Sequence, residues 1–157
     1  MSIEEAYDLG IDGIFNKPFD RKVLVNCLAN ALIPVSDRWQ RAPQALTSNQ
    51  QNHFIVFPNF EKARLDHQIG VGRGGMFVLK TENFPMVSDL IRFRIDFEDR
   101  PLFPIEGTGW VRWVRPLQAG TLSPGIGVEF QSLTKSSASY VKEILSTFKT
   151  TSFIPRG

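Results

Sequence analysis

The sequence predicts a mainly β protein. Its expected form is a small six-stranded antiparallel β-barrel with a C-terminal helix, preceded by an N-terminal α/β fragment that ends in a helix of its own. Three observations predict it. Leu90-Ile91-Arg92-Phe93-Arg94-Ile95-Asp96-Phe97 alternates with period two, which puts Ile91, Phe93, Ile95 and Phe97 on one face. Ile105 to Val114 is a longer strand-like run, interrupted by Gly107 and Gly109 where a barrel corner needs a bend or bulge. Gly125 to Phe130 alternates again, with Ile126, Val128 and Phe130 facing in.

The remaining elements follow in chain order, in three segments: 1–34, 35–52 and 53–150. In the first, Ile11 to Phe15 is a short apolar run that Lys17-Pro18-Phe19 breaks. Asp20 is a good N-cap for a helix starting near Arg21. Val23, Leu24, Cys27, Leu28, Ala31 and Leu32 form its apolar stripe, and it stops at Ile33-Pro34. The second segment, with Ser36-Asp37-Arg38-Trp39 and Ser48-Asn49-Gln50-Gln51-Asn52, is polar and without pattern, a linker or docking arm. In the third, His53 to Phe57, Leu65 to Ile69 and Met76 to Leu79 are the first three strands, and Glu98-Asp99-Arg100-Pro101 is a turn. Thr134 is placed to cap a last helix whose apolar positions are Ala138, Val141, Leu145 and Phe148. Trp113, Phe93 and Phe130 are expected in the core.

Composition narrows the functional classes. A net charge of +2 on 157 residues gives no strong push toward nucleic acid or membrane. No apolar run reaches the length of a spanning helix. The acidic start, Ser2-Ile3-Glu4-Glu5, has no cationic or apolar leader character, and Cys27 is the lone cysteine, so a cytoplasmic setting is expected. Cys27 reads as a small buried apolar residue. His53 and His67 are the two histidines; His67 lies beside Asp66, but neither has partners at metal-ligand spacing or beside a nucleophile motif. No metal, no cofactor and no enzymatic activity are expected.

The most informative stretch is Gly70-Val71-Gly72-Arg73-Gly74-Gly75, running straight into Met76-Phe77-Val78. A glycine cluster entering a strand marks a tight backbone approach beside a sheet. Gly70, Gly72 and Gly75 also fit the dinucleotide fingerprint, but that motif requires a helix after its last glycine. Here the text continues as a strand and then Lys80-Thr81-Glu82-Asn83 and Pro85, too punctuated for such a helix.

Residues 53–148 resemble the PilZ domain. The resemblance rests on the glycine motif followed by Met76-Phe77-Val78, on the alternating strand, on Gly107-Thr-Gly-Trp-Val-Arg-Trp-Val114, and on Pro124-Gly-Ile-Gly-Val-Glu-Phe130. It implies a β-barrel that binds cyclic di-GMP. Family members carry Asp/Asn-x-Ser-x-x-Gly at the glycine motif and Arg-x-x-x-Arg before the barrel. The acidic and serine positions are here Gly70 and Gly72, which have no side chains to donate or accept. Arg38 and Arg41 are one residue too close together, and Ala45 stands where a second arginine would follow Arg41. A bidentate arginine–guanine pair contributes about 1–3 kcal/mol of discrimination, so these losses point to weak or no binding. If the dinucleotide binds nonetheless, Arg38, Arg41 and Arg73 would supply guanidiniums, and the loop of Gly70, Gly72 and Gly75 would supply backbone N–H groups.

Ala6 to Asp20, above all Lys17-Pro18-Phe19, resembles the end of a response-regulator receiver domain. In that family the lysine at Lys17 contacts a phosphorylated aspartate. The phospho-accepting aspartate, the acidic magnesium pair and the other strands are missing from this sequence, so residues 1–34 are expected to be a remnant without phosphoryl chemistry. Two origins fit: part of a longer receiver–PilZ regulator, or a helical extension that packs on the barrel or on a second copy, giving a homodimer.

By strand parity Arg92, Arg94, Trp110 and Arg112 share an outer surface, with Trp113 on the opposite face from Trp110. That surface is a candidate cation–π patch for a partner, or an ordinary solvated sheet face. The expected function is a non-enzymatic bacterial signalling module, a degenerate PilZ-like domain working through protein–protein contacts. A cyclic di-GMP receptor is the alternative.

Overall fold

The computed structural model describes residues 17–34, 37, 39, 52–117 and 123–148. Asp20 starts the first helix as its side chain accepts from the Lys22 amide at 2.6 Å, and α1 spans Arg21–Leu32. The Lys17–Pro18 peptide bond is cis. The expected strand at Ile11 to Phe15 lies outside the described residues, as do the side chains of Val23, Cys27 and Ala31 on the helix stripe.

The rest is a six-stranded mixed sheet curled into a half-barrel, with helices at one end. The elements run β1 (Asn52–Phe57), α2 (Phe60–Leu65), β2 (Ile69–Val71), β3 (Gly75–Leu79), β4 (Leu90–Phe97), β5 (Ile105–Arg115), β6 (Gly125–Leu133) and α3 (Lys135–Thr147). The order across the sheet is β1-β4-β5-β6-β3-β2.

Three expectations are corrected here. The sheet is not all antiparallel: β1 runs parallel to β4, in register from Asn52↔Arg92 to Phe57↔Phe97. The connection from Phe57 to Leu90, carrying α2 and a hairpin, is long enough for the crossover that parallel pairing needs, and alternation carries no information on strand direction. The sheet is also not a closed barrel, since β1 and β2 are its two edges. Finally, the second strand does not span Leu65 to Ile69: Leu65 ends α2, and β2 begins only at Ile69. Asn59 caps α2 by accepting from the Lys62 amide at 2.7 Å, and Phe60 and Ala63 are buried three residues apart, so the helix takes this segment first. It ends in a Schellman motif: Gln68 N donates to Ala63 O, His67 N donates to Arg64 O, and His67 takes the left-handed conformation at φ 55°. That exposed, helix-terminating position accounts for His67, and no group of three metal-ligating side chains occurs among the described residues.

The core fills the concave side. Ile91, Phe93, Ile95 and Phe97 of β4 are all buried there, as are Ile126, Val128 and Phe130 of β6. Trp39 joins them from the segment read as a linker or docking arm. Its ring meets Phe130 edge-on at 5.9 Å, and its carbonyl accepts from the Leu133 amide. Thr134 caps α3 by accepting from Ser137 N, and the helix lays Tyr140, Val141 and Ile144 into the core. Ala138, Leu145 and Phe148 pack around them.

Ser137 ties α3 to the start of β5. It is fully buried, its hydroxyl donates to the Pro104 carbonyl, and it accepts from the Glu106 amide, both at 2.9 Å. Ser137→Ala leaves two buried backbone groups without partners and is expected to cost about 1–3 kcal/mol by urea denaturation. The same change at exposed Ser139 is expected to stay within about 0.5 kcal/mol. Equal losses at both positions would mean that the Ser137 bonds do not seat the helix.

Candidate functional site

The glycine run forms the β2–β3 hairpin. Gly70 pairs with Phe77, Val71 with Met76, and the Gly72 amide donates to the Gly75 carbonyl at 2.9 Å, leaving Arg73 and Gly74 at the tip. A strand, not a helix, follows the last glycine, as the sequence anticipates. The tight approach is real at Gly75, where a Cβ would lie 2.1 Å from the Val128 carbonyl oxygen. The Gly74 carbonyl, next to it, accepts from the Phe130 amide. The hairpin therefore docks backbone-to-backbone on β6 and displays little chemistry. Arg73 is exposed at its tip. Arg38 and Arg41 lie outside the described residues.

One row of paired residues crosses four strands from that hairpin: Gly70 on β2, Phe77 on β3, Gly127 on β6 and Trp113 on β5. Met76 and Val78 point into the core, so Phe77 and the row stand on the convex face. The Phe77 and Trp113 rings stack at 5.6 Å with 16° between planes. Arg115 lies over both, 4.9 Å from the Trp113 ring and 5.9 Å from the Phe77 ring, and donates to the Ser123 carbonyl at 3.1 Å.

This corrects the expectation that Trp113 belongs to the core. Val111 pairs with Val128 but Trp113 pairs with Gly127, so Arg112 is an extra residue on β5. The bulge turns Arg112 and Trp113 to the same side, while Val111 and Val114 pack inward. A compensating shift falls between Thr108 and Gly109, within the glycine-marked stretch where the sequence suggests a bulge. Sequence reasoning missed the place of Phe77 on this face. The available signal was Gly125 and Gly127 alternating on one strand face, which leaves room for large rings across it.

Arg92 and Arg94 of β4 and Trp110 and Arg112 of β5 do share the convex face of neighbouring strands. The arginines there are not equivalent. Arg94 chelates Asp96, with Nε and Nη2 both donating, and reaches Glu106 at 3.4 Å. The hydrogen bond to Asp96 is the main reason its guanidinium is held above the ordinary arginine value. Arg112 pairs with Glu129. Arg92 is exposed, and Trp110 is half-buried two residues along the face. The cation–π contact sits at Arg115 and Trp113, not among these four.

A separate shallow cleft of about 290 Å³ lies between α2 and α3, lined by Asn59, Glu61, Asp99, Arg100, Tyr140 and Glu143 among others. Arg100 bonds Glu143 at 2.8 Å and lies 5.6 Å from the Tyr140 ring centroid. Burial pushes the Tyr140 phenol above its ordinary value against the pull of Arg100. Sequence reasoning assigned no role to these residues. Lys17 is exposed ahead of α1.

His53 of β1 is buried with its Nε2 unpartnered. Burial depresses its pKa below 6.5; Lys80 acts in the same direction and Asp89 opposes. The folded chain therefore favours neutral imidazole, and between the folded value and 6.5 the unfolded chain binds more protons. Stability is fully present above 6.5 and is lost as pH falls through the folded value. The thermal midpoint is expected to drop between about pH 7.5 and pH 5 by more in the natural chain than in His53→Gln. Equal slopes would remove His53 as the source.

No family model and no curated protein matches this chain. Among the described residues no helix is long and apolar enough to cross a membrane.

Proposed function

We propose that the chain is a non-enzymatic signalling module, a degenerate PilZ-like half-barrel acting through protein–protein contacts, with a receiver-like helix ahead of it. One observation carries this reading. The hairpin that would grip a guanine dinucleotide offers bare backbone at Gly70 and Gly72, which pair across the hairpin with Phe77 and Gly75 and carry no side chains to reach a ligand. The neighbouring convex face supports it, because Arg94 and Arg112 are already committed to carboxylates and would have to surrender ion pairs to take a phosphate. What is left for recognition on that face is Arg92 and Trp110, a cation and a half-exposed ring suited to a protein partner.

The receptor alternative is favoured by a different observation. The row from Gly70 through Phe77 to Trp113, overlaid by Arg115, joins the hairpin to an aromatic and cationic surface. In that reading Arg38, Arg41 and Arg73 supply the remaining guanidiniums.

Isothermal calorimetry with cyclic di-GMP separates the two. The interaction-module reading expects no heat at high micromolar ligand. The receptor reading expects a dissociation constant below about 10 μM that is lost in Arg41→Ala. Gly70 also has room for a side chain, its nearest non-neighbour atom lying 3.8 Å from a Cβ, so Gly70→Asn with Gly72→Ser tests the deficit directly. The pair is expected to tighten binding by at least about tenfold, the worth of one good hydrogen bond to a charged group. Failure of the restored side chains to change binding would mean that their loss is not what disables the site.

A further inference from the structure

We infer that β1 is the seam of a homodimer, in which two copies pair their β1 strands antiparallel about a two-fold axis at Ile55. The inference does not depend on the PilZ-like reading. Among the described residues β1 is an edge strand with no neighbour beyond it. Natural edge strands are blunted by lysines, prolines, bulges or extreme shortness. Asn52-His-Phe-Ile-Val-Phe57 has none of these: it is six residues long, pairs with β4 without interruption, and buries its histidine on the core side. Its outward side chains Phe54 and Val56 are 66% and 61% exposed, an apolar pair on one rim of the sheet.

The spacing of that pair selects a second copy as the occupant. With Ile55 on the axis, Phe54 of each copy stands opposite Val56 of the other, giving two aromatic–β-branched cross-strand pairs, a favourable kind. Shifting the axis to Phe54 sets Val56 against Asn52, and shifting it to Val56 sets Phe54 against Pro58, which has no N–H to pair. Only the Ile55 register sets Phe54 and Val56 against each other, with Pro58 falling opposite Asn52 at the strand end. Charge agrees with it. β1 carries no formal charge, and the nearest outward charges, Arg94 beside Phe54 and Asp96 beside Val56, are bonded to each other. The two-fold sets the Arg94 end of one copy's row at the Asp96 end of the other's, so no like charges meet. The seam is about 20 Å long, and its buried area falls below the roughly 1,200 Å² of a standard interface. The association is therefore weak and concentration-dependent.

Sedimentation velocity on the full chain, from about 1 to 200 μM, is expected to show monomer passing into dimer. Val56→Lys, at an outward position that should not disturb folding, is expected to raise the dissociation constant at least about tenfold with the thermal midpoint unchanged. Phe54→Lys repeats the test at a second site should the first variant prove less stable. Combining Phe54→Lys with Val56→Glu places opposite charges across the axis in this register and is expected to restore association, now salt-sensitive. Leu28→Glu with Leu32→Glu on α1 is expected to leave it unchanged. A chain that stays monomeric throughout, a dimer indifferent to Val56→Lys and Phe54→Lys, or one lost through the α1 changes would each overturn the inference.

Discussion

A Cβ atom at Gly127 would lie 2.2 Å from the Trp113 indole, and one at Gly75 would lie 2.1 Å from the Val128 carbonyl oxygen. Both distances are far inside contact, so the sheet holds together around β6 only because these positions are bare. On the convex side the vacancy at Gly127 lets the Trp113 and Phe77 rings lie flat across the strand, and the Arg112 bulge delivers Trp113 to that side. Arg115 then covers the rings and bonds Ser123, which ties the end of β5 to the approach of β6. At Gly75 the same constraint draws the hairpin against β6. Of the glycines that look like a nucleotide loop in the sequence, Gly75 is thus spent on strand-to-strand approach.

Much of this architecture is legible without coordinates. The period-two strand at Leu90–Phe97, the caps at Asp20 and Thr134, and the breaks at Pro34 and Pro58 are local signals, and local physics settles them. What escapes is decided at a distance. Whether β1 lies parallel or antiparallel to β4 depends on the route of the chain between them. Whether Leu65 belongs to a helix or a strand depends on Asn59 and on what Phe60 packs against, here Phe97 at 5.9 Å and Phe148 at 5.4 Å. The position of Trp113 turns on a single inserted residue that shifts the alternation by one. Trp39 sits in a polar stretch, and only its contact with Phe130 identifies it as core.

The candidate site was legible in a similar proportion. The hairpin glycines and the convex-face residues Arg92, Arg94, Trp110 and Arg112 can be placed by parity. Arg94 and Asp96 lie two residues apart on one face of β4, whereas the commitment of Arg112 to Glu129 on the neighbouring strand depends on cross-strand register, which alternation does not reveal. A fold of this kind hosts many activities, so the functional argument rests on which groups remain available, not on the architecture. Under the proposed reading, the positions that would face a ligand are glycines, and Arg94 and Arg112 are bonded to carboxylates.

The most direct measurement is a two-dimensional amide NMR titration of the full chain with cyclic di-GMP carried to millimolar concentration, following the Gly70, Gly72, Gly74 and Gly75 signals. The account predicts that these four amides keep their positions, because Gly70 and Gly72 pair within the hairpin, Gly74 and Gly75 meet β6, and none of them carries a side chain to hold a ligand. Saturable shifts confined to those glycines and Arg73 would contradict it.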